Sequence, residues 1–180
     1  MQIVSPPGLT FVYSGGGYTV AQLAVERVTG GPFAAAVSRE VLEPLGMSDT
    51  TFCTAADTPP AEMTTGHDAG GKPMPSRRFV EQAAAGVCST AADLGRFGAA
   101  LMRDSRGMAN PAAGTGGKYG LGLFTSTLAD GSKKFGHDGA NQGWRASFSV
   151  YPDHDWAVVV LTNGDNGLSV AADVTRLLVS

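Results

Sequence analysis

Trp156-Ala157-Val158-Val159-Val160-Leu161 reads as a strand that is apolar on both faces, and the segments before it make it part of a sheet. A strand without a polar face has to be covered from both sides, so this run predicts a layer sandwiched between two others. Just upstream, Ala146, Phe148 and Val150 alternate with Arg145, Ser147, Ser149 and Tyr151, which is the period of a strand with one buried face. The short turn Pro152-Asp153-His154-Asp155 between the two implies antiparallel neighbours. Working back, Lys134 to His137 and Tyr119 to Thr127 read as further strands, with Asp130-Gly131 as their turn. Working forward, Leu168 to Leu178 reads as a helix that would cover the sheet.

The first part of the chain has a different character. Prolines and glycines from Pro6 to Gly17 predict a shaped loop, after which Thr19 and Gln22 offer a capping box, with Val20, Leu23, Ala24 and Val28 at helical spacing. Gly30 and Pro32 stop that helix, and a second runs from near Pro32 through Val37, Val41 and Leu42 until Pro44 ends it. From Thr54 to Phe79 no period survives, which predicts a long surface loop holding short strands at most. Thr90 and Asp93 cap a helix carrying Leu94, Phe97, Leu101 and Met102, and Gly107 to Gly117 is again loop. Residues 1–116 are therefore mostly helix and loop, and residues 117–180 are antiparallel strands with a C-terminal helix. Together they form part of one α+β domain.

Composition narrows the function. A chain of 180 residues with 43% hydrophobic and 16% charged side chains is an ordinary globular sequence. Its net charge is −3, and no basic cluster exceeds Arg77-Arg78 or Lys133-Lys134, which argues against nucleic acid as a partner. No apolar run approaches a membrane span and the start lacks the features of a signal peptide, so a cytoplasmic location is expected for the chain as given, with an exported parent as the alternative. Cys53 and Cys88 have no Cys-x-x-Cys spacing; two buried free thiols are expected, with a disulfide as the other choice. Each histidine is followed by aspartate, at His67-Asp68, His137-Asp138 and His154-Asp155, the kind of pair a metal-dependent hydrolase could use. Two of these pairs fall in a loop and a turn, where aspartate serves turn chemistry, so no metal and no cofactor are expected. Gly167-Leu168-Ser169-Val170-Ala171 lacks the last glycine of a nucleophile elbow and fits the start of a helix better.

Two tripeptides remain, Tyr13-Ser14-Gly15 and His137-Asp138-Gly139, about 120 residues apart. With Pro44-Leu45-Gly46-Met47, with Ala85-Gly86-Val87-Cys88-Ser89-Thr90-Ala91-Ala92-Asp93-Leu94, and with the helix from Gly17-Tyr18 to Thr29-Gly30, they make the chain resemble the C-terminal part of the β-lactamase-related serine hydrolases. That group includes class C β-lactamases, D-alanyl-D-alanine carboxypeptidases, D-aminopeptidases and esterases. The resemblance implies a β-lactamase/transpeptidase-like fold and the acyl transfer or hydrolysis of a small ester, amide or β-lactam substrate. It implies that Tyr13 and His137 are catalytic: Tyr13 matches the proton-relay phenol of a Tyr-x-Asn loop, and His137 stands in a His-x-Gly version of the Lys-Thr-Gly strand. By the same resemblance Gly15, Asp138, Gly139 and Ala140 bind substrate, with the Ala140 amide as an oxyanion donor. An ordinary phenol, with a pKa of about 10, is only about a thousandth ionised at neutral pH, so a relay phenol needs cations beside it.

The chain departs from the pattern twice. Gly15 stands where the family has asparagine, which bears on peptide and β-lactam turnover more than on ester hydrolysis. No serine has a lysine three residues on, so the Ser-x-x-Lys nucleophile turn is missing from these residues and the chain is expected to be silent alone. The family's N-terminal portion would precede Met1. A non-catalytic assembly module is the rival reading, since the Trp156 to Leu161 strand would keep an open edge for self-association or for a complementing chain.

Overall fold

The computed structural model describes residues 3, 5–6, 8–53, 63–77, 79–105 and 107–179. Part of the loop expected from Thr54 to Phe79, at 54–62 and 78, lies outside them.

Ser14 opens the first helix. Its backbone is extended and its hydroxyl accepts the Gly17 N–H at 3.2 Å, so α1 (Gly15–Thr29) starts a turn ahead of the Thr19–Gln22 box. Glycine is the poorest helix former after proline, and Gly15, Gly16 and Gly17 in a row conceal that start. Apolar residues at helical spacing ordinarily face a core. Here they face outward, with Val20 51%, Leu23 55% and Val28 87% exposed, while Gln22 is buried. The inner side of α1 is held by polar contacts instead: the Gln22 carboxamide accepts the Ala83 N–H at 3.2 Å and donates to the Val80 carbonyl at 3.5 Å.

Phe33–Val37 (α2) continues into one wide π-helical turn at Ser38–Leu42. Thr51–Phe52 (β1) then pairs antiparallel with Val87–Cys88 (β2), just after the short helix α3 (Gln82–Ala85). That pairing brings Cys53 and Cys88 together as a disulfide with Cα atoms 5.9 Å apart, which corrects the expectation of two free thiols. Sequence spacing could not reveal it, because the partners meet only through the β1–β2 ladder. Closing a loop of 35 residues constrains the unfolded chain, so Cys88→Ser is expected to cost about 2–4 kcal/mol. Urea unfolding with and without reductant checks this: the wild type should lose that amount on reduction and the variant should not respond.

Thr90 caps α4 (Ala91–Arg103) by accepting the Asp93 N–H at 3.2 Å. Asp93 itself turns inward and is fully buried, where its carboxylate accepts the Asp49 N–H at 2.9 Å and the Thr50 hydroxyl at 2.7 Å and pairs with Arg96. The helix is thereby tied to the turn that precedes β1.

The main sheet has four antiparallel strands in the order β3 (Phe124–Thr127), β4 (Lys133–Asn141), β5 (Trp144–Tyr151) and β6 (Trp156–Thr162). The strand expected from Tyr119 begins only at Phe124. Gly120 is pressed against the Met108 carbonyl, where a Cβ would sit 2.0 Å from that oxygen, and Gly122 has φ 90, so the backbone bends there. Helix α4 packs on one face of β5 and β6 and α5 (Gly167–Val179) also packs on both strands. Leu101, Leu123, Phe135 and Val150 form the core with Phe97, Phe148 and Ala157 around them, and Gly98 lets α4 approach closely, since a Cβ there would lie 2.9 Å from that of Ala157. Ser149 and Tyr151 are buried as well, so β5 is covered on both faces at its end rather than on one. The α+β order read from the sequence stands, and β6 closes the sheet with no strand on its outer edge among the described residues. No described helix is long and apolar enough to cross a membrane.

Candidate functional site

Tyr13 reaches the site as the residue before the Ser14 cap of α1, and His137 as the first residue of β4 past the β3 ladder. Their ring centroids are 5.7 Å apart. The two tripeptides therefore meet in space, at the start of a helix and the free edge of a strand. The His137 Nδ1 lies 2.6 Å from the Asp138 carbonyl oxygen. A carbonyl can only accept, so Nδ1 carries the proton and the neutral ring keeps its lone pair on Nε2.

The edge itself has a physical origin. The β3–β4 ladder ends at the pair Phe124↔Gly136, because Leu123 turns into the core, whereas β4 runs on to Asn141 with β5 on its other side. Residues 137–140 thus border a lane about 13 Å long, at roughly 3.3 Å per residue, that holds no strand among the described residues. Phe124 stands at one end. At the other, the Asn141 carboxamide donates to the Ala85 carbonyl at 3.3 Å, which brings α3 to the strand. Gly15 sits above the same helix, and a Cβ added to it would meet that of Ala84 at 3.7 Å, an ordinary contact. Asp138, Gly139 and Ala140 are exposed along the lane. Strand alternation puts the side chains of Asp138 and Ala140 on the face opposite His137 and Gly139, so toward a substrate in the lane they offer backbone groups.

Three aromatic residues that the sequence reading passed over complete the setting. Tyr119 is buried at the centre, with ring centroids 5.0 Å from Phe11, 4.7 Å from Phe124, 6.3 Å from Tyr13 and 6.1 Å from His137. Its hydroxyl shares a 2.6 Å hydrogen bond with that of Tyr18, one turn into α1. Burial first, then that bond and the neighbouring phenols, raise the Tyr119 phenol above its ordinary value, so it stays protonated and serves as a brace. Phe124 stacks on Tyr13 at 6.4 Å and lies 5.2 Å from His137. The alternation of Phe11 with Tyr13, and Tyr119 at the head of a glycine-broken strand, were the available signals.

The other histidines lie elsewhere. His67 pairs through its backbone with Pro73 and Gly164 and its Nδ1 is 3.2 Å from the Asn163 carbonyl oxygen, while Asp68 caps its own turn through the Gly70 and Lys72 amides. His154 lies beside Ser132 and Asp130 at the hairpin turn, where Asp155 takes φ 57. Among the described residues no three metal-ligating side chains converge. Ser169, in the near-elbow, donates to the Asn166 carbonyl at the start of α5.

The chain is similar to known proteins in family and fold. The family described as Beta-lactamase matches residues 1–179. A penicillin-binding protein from Bacillus halodurans superposes with a TM-score of 0.81 at 25% identity, over 96% of this chain and 58% of that one. A D-stereospecific amidohydrolase from a Streptomyces species gives 0.75 at 24% identity, over 88% and 52%. An octameric penicillin-binding protein homologue from Pyrococcus abyssi gives 0.73 at 26% identity, over 89% and 40%. The chain spans between 40% and 58% of the length of these three structures.

Proposed function

The chain belongs to the β-lactamase family and is a serine hydrolase-family member over residues 1–179, and from that premise we propose that it forms the Tyr13 and His137 wall of an acyl-transfer cleft whose serine is supplied by polypeptide outside these 180 residues. One observation carries the reading: a phenol and an imidazole far apart in sequence, with ring centroids 5.7 Å apart, beside an open strand edge. Tyr13 would pass the proton of the attacking serine to the leaving group. His137, with Nδ1–H spent on the Asp138 carbonyl, would present Nε2 as acceptor across the lane. The Ala140 N–H would help to hold the oxyanion, and Gly139 would leave room for substrate beside the strand.

Two features support a complementing polypeptide. The outer edge of β6 has backbone groups with no strand beside them among the described residues, and α1, which begins just after Tyr13, turns Val20, Leu23 and Val28 outward along its length. The Cys53–Cys88 bond supports work in an oxidising compartment rather than in the cytoplasm.

The test is labelling with a fluorophosphonate together with hydrolysis of a p-nitrophenyl ester. The chain alone should give neither, and adding a polypeptide that carries the family's Ser-x-x-Lys segment should give both. A labelled serine within residues 1–180 would overturn the assignment.

A further inference from the structure

Helix α3 is the piece of the fold that touches both halves of the site. Ala84 lies against Gly15, beside the Tyr13 entry, where an added Cβ would meet its own at 3.7 Å, and the Ala85 carbonyl accepts the Asn141 carboxamide at 3.3 Å at the far end of the lane. The next carbonyl, that of Gly86, accepts the Cys53 N–H at 2.8 Å, and two residues further on Cys88 is bonded to Cys53. Cys53 therefore grips the chain on either side of Val87, directly behind α3. The segment needs that grip. A helix of four residues is too short to persist by itself, and the β1–β2 ladder has two residue pairs. The Gln22 carboxamide adds two hydrogen bonds, at 3.2 Å to the Ala83 N–H and at 3.5 Å to the Val80 carbonyl. The 35-residue loop that the disulfide closes also carries Gly66, which packs at the tip of the β4–β5 hairpin, where a Cβ added to Gly143 would lie 3.2 Å from it. Both cysteines are half-buried and flank the exposed Val87, so neither is sealed from a small thiol.

We propose that the Cys53–Cys88 bond is a redox latch on the cleft: closed, it holds α3 between the Tyr13 entry and the end of β4, and opened by a dithiol, it releases α3 and takes that wall from the lane. The chemistry is thiol–disulfide exchange. A thiolate of the dithiol bonds to one cysteine sulfur and the other cysteine leaves as a thiolate; the second thiol of the reagent then displaces the first cysteine. Two electrons and two protons pass to the protein, which ends with two thiols while the reagent ends as a cyclic disulfide, and a disulfide reagent runs the step backwards. The proposal rests on the acyl-transfer reading for the activity that is lost, but not for the release of α3.

Amide exchange and NMR of the 180-residue chain, with and without dithiothreitol, test the release without requiring turnover. Reduction should speed exchange at the Cys53, Ala83, Ala85 and Gly86 amides by about tenfold or more and shift the Asn141 carboxamide signals, while the amides of β5 keep their rates. Oxidised dithiothreitol should restore the starting state. A Cys53→Ser/Cys88→Ser chain should behave as the reduced protein and ignore the reagent; where it does not fold, the reversible response of the wild type decides. Unchanged exchange in α3, unmoved Asn141 signals, acceleration spread evenly over α3 and β5, or a response that persists in the folded double variant would each overturn the proposal. In the complemented enzyme, reduction should lower the turnover of a p-nitrophenyl ester by about tenfold or more, because a displaced wall costs alignment. If α3 is released but no ester is hydrolysed in either state, the acyl-transfer reading fails and the release stands. If the ester is hydrolysed equally fast in both states, the latch fails and the acyl-transfer reading stands.

Discussion

Tyr13→Phe should lower the acyl turnover of the complemented enzyme by about 10²–10⁴-fold, the range that one general acid–base group contributes. The substitution removes the hydroxyl alone. The ring keeps its stacking on Phe124 and its place 5.7 Å from His137, so substrate binding should hardly change and the loss should fall on kcat. Burst and steady-state kinetics with a p-nitrophenyl ester separate the two quantities. A loss smaller than about tenfold would take Tyr13 off the proton path. Tyr119→Phe is the contrasting change, because it removes the brace to Tyr18 while leaving the Tyr13 hydroxyl in place.

The second large effect concerns stability. Asp93→Ala should cost about 3–5 kcal/mol, because it removes two hydrogen bonds to a buried charged acceptor, each worth about 1.5–3 kcal/mol. The change strips the Asp49 amide and the Thr50 hydroxyl of their shared acceptor and leaves Arg96 without its partner carboxylate. For a domain whose whole stability is about 5–15 kcal/mol this is a large fraction. Asp93→Asn keeps one acceptor oxygen and should cost less. Urea unfolding of both variants checks the order, and an Asp93→Ala chain within about 1 kcal/mol of wild type would show that the network contributes little.

The sheet was legible because its strands are marked by alternation and by one doubly apolar run, and those patterns follow from burial. The first helix was misread at both levels. Its start lay under three glycines, and its apolar row, which on an ordinary surface helix would mark the core side, faces outward while Gln22 takes the inner position. The disulfide was only the second choice for the two cysteines, because Cys53 and Cys88 meet through a ladder of two residue pairs that their spacing does not announce. For the proposed site, Tyr13 and His137 were candidates because their short motifs resemble those of the family, and the fold brings the two rings within 5.7 Å. Phe11, Tyr119 and Phe124 could not, because only the close approach of the α1 entry to β3 and β4 gives their rings a common purpose.

The orientation of α1 has a consequence for handling the protein. A helix with its greasy side in water gains little from its surroundings and will fray before the sheet does, so amide exchange along Gly15–Thr29 should run ahead of that in β5. Detergent micelles and hydrophobic resins offer that side the shelter it lacks. Preparations of this chain will therefore cling to such surfaces, and α1 will loosen ahead of the sheet.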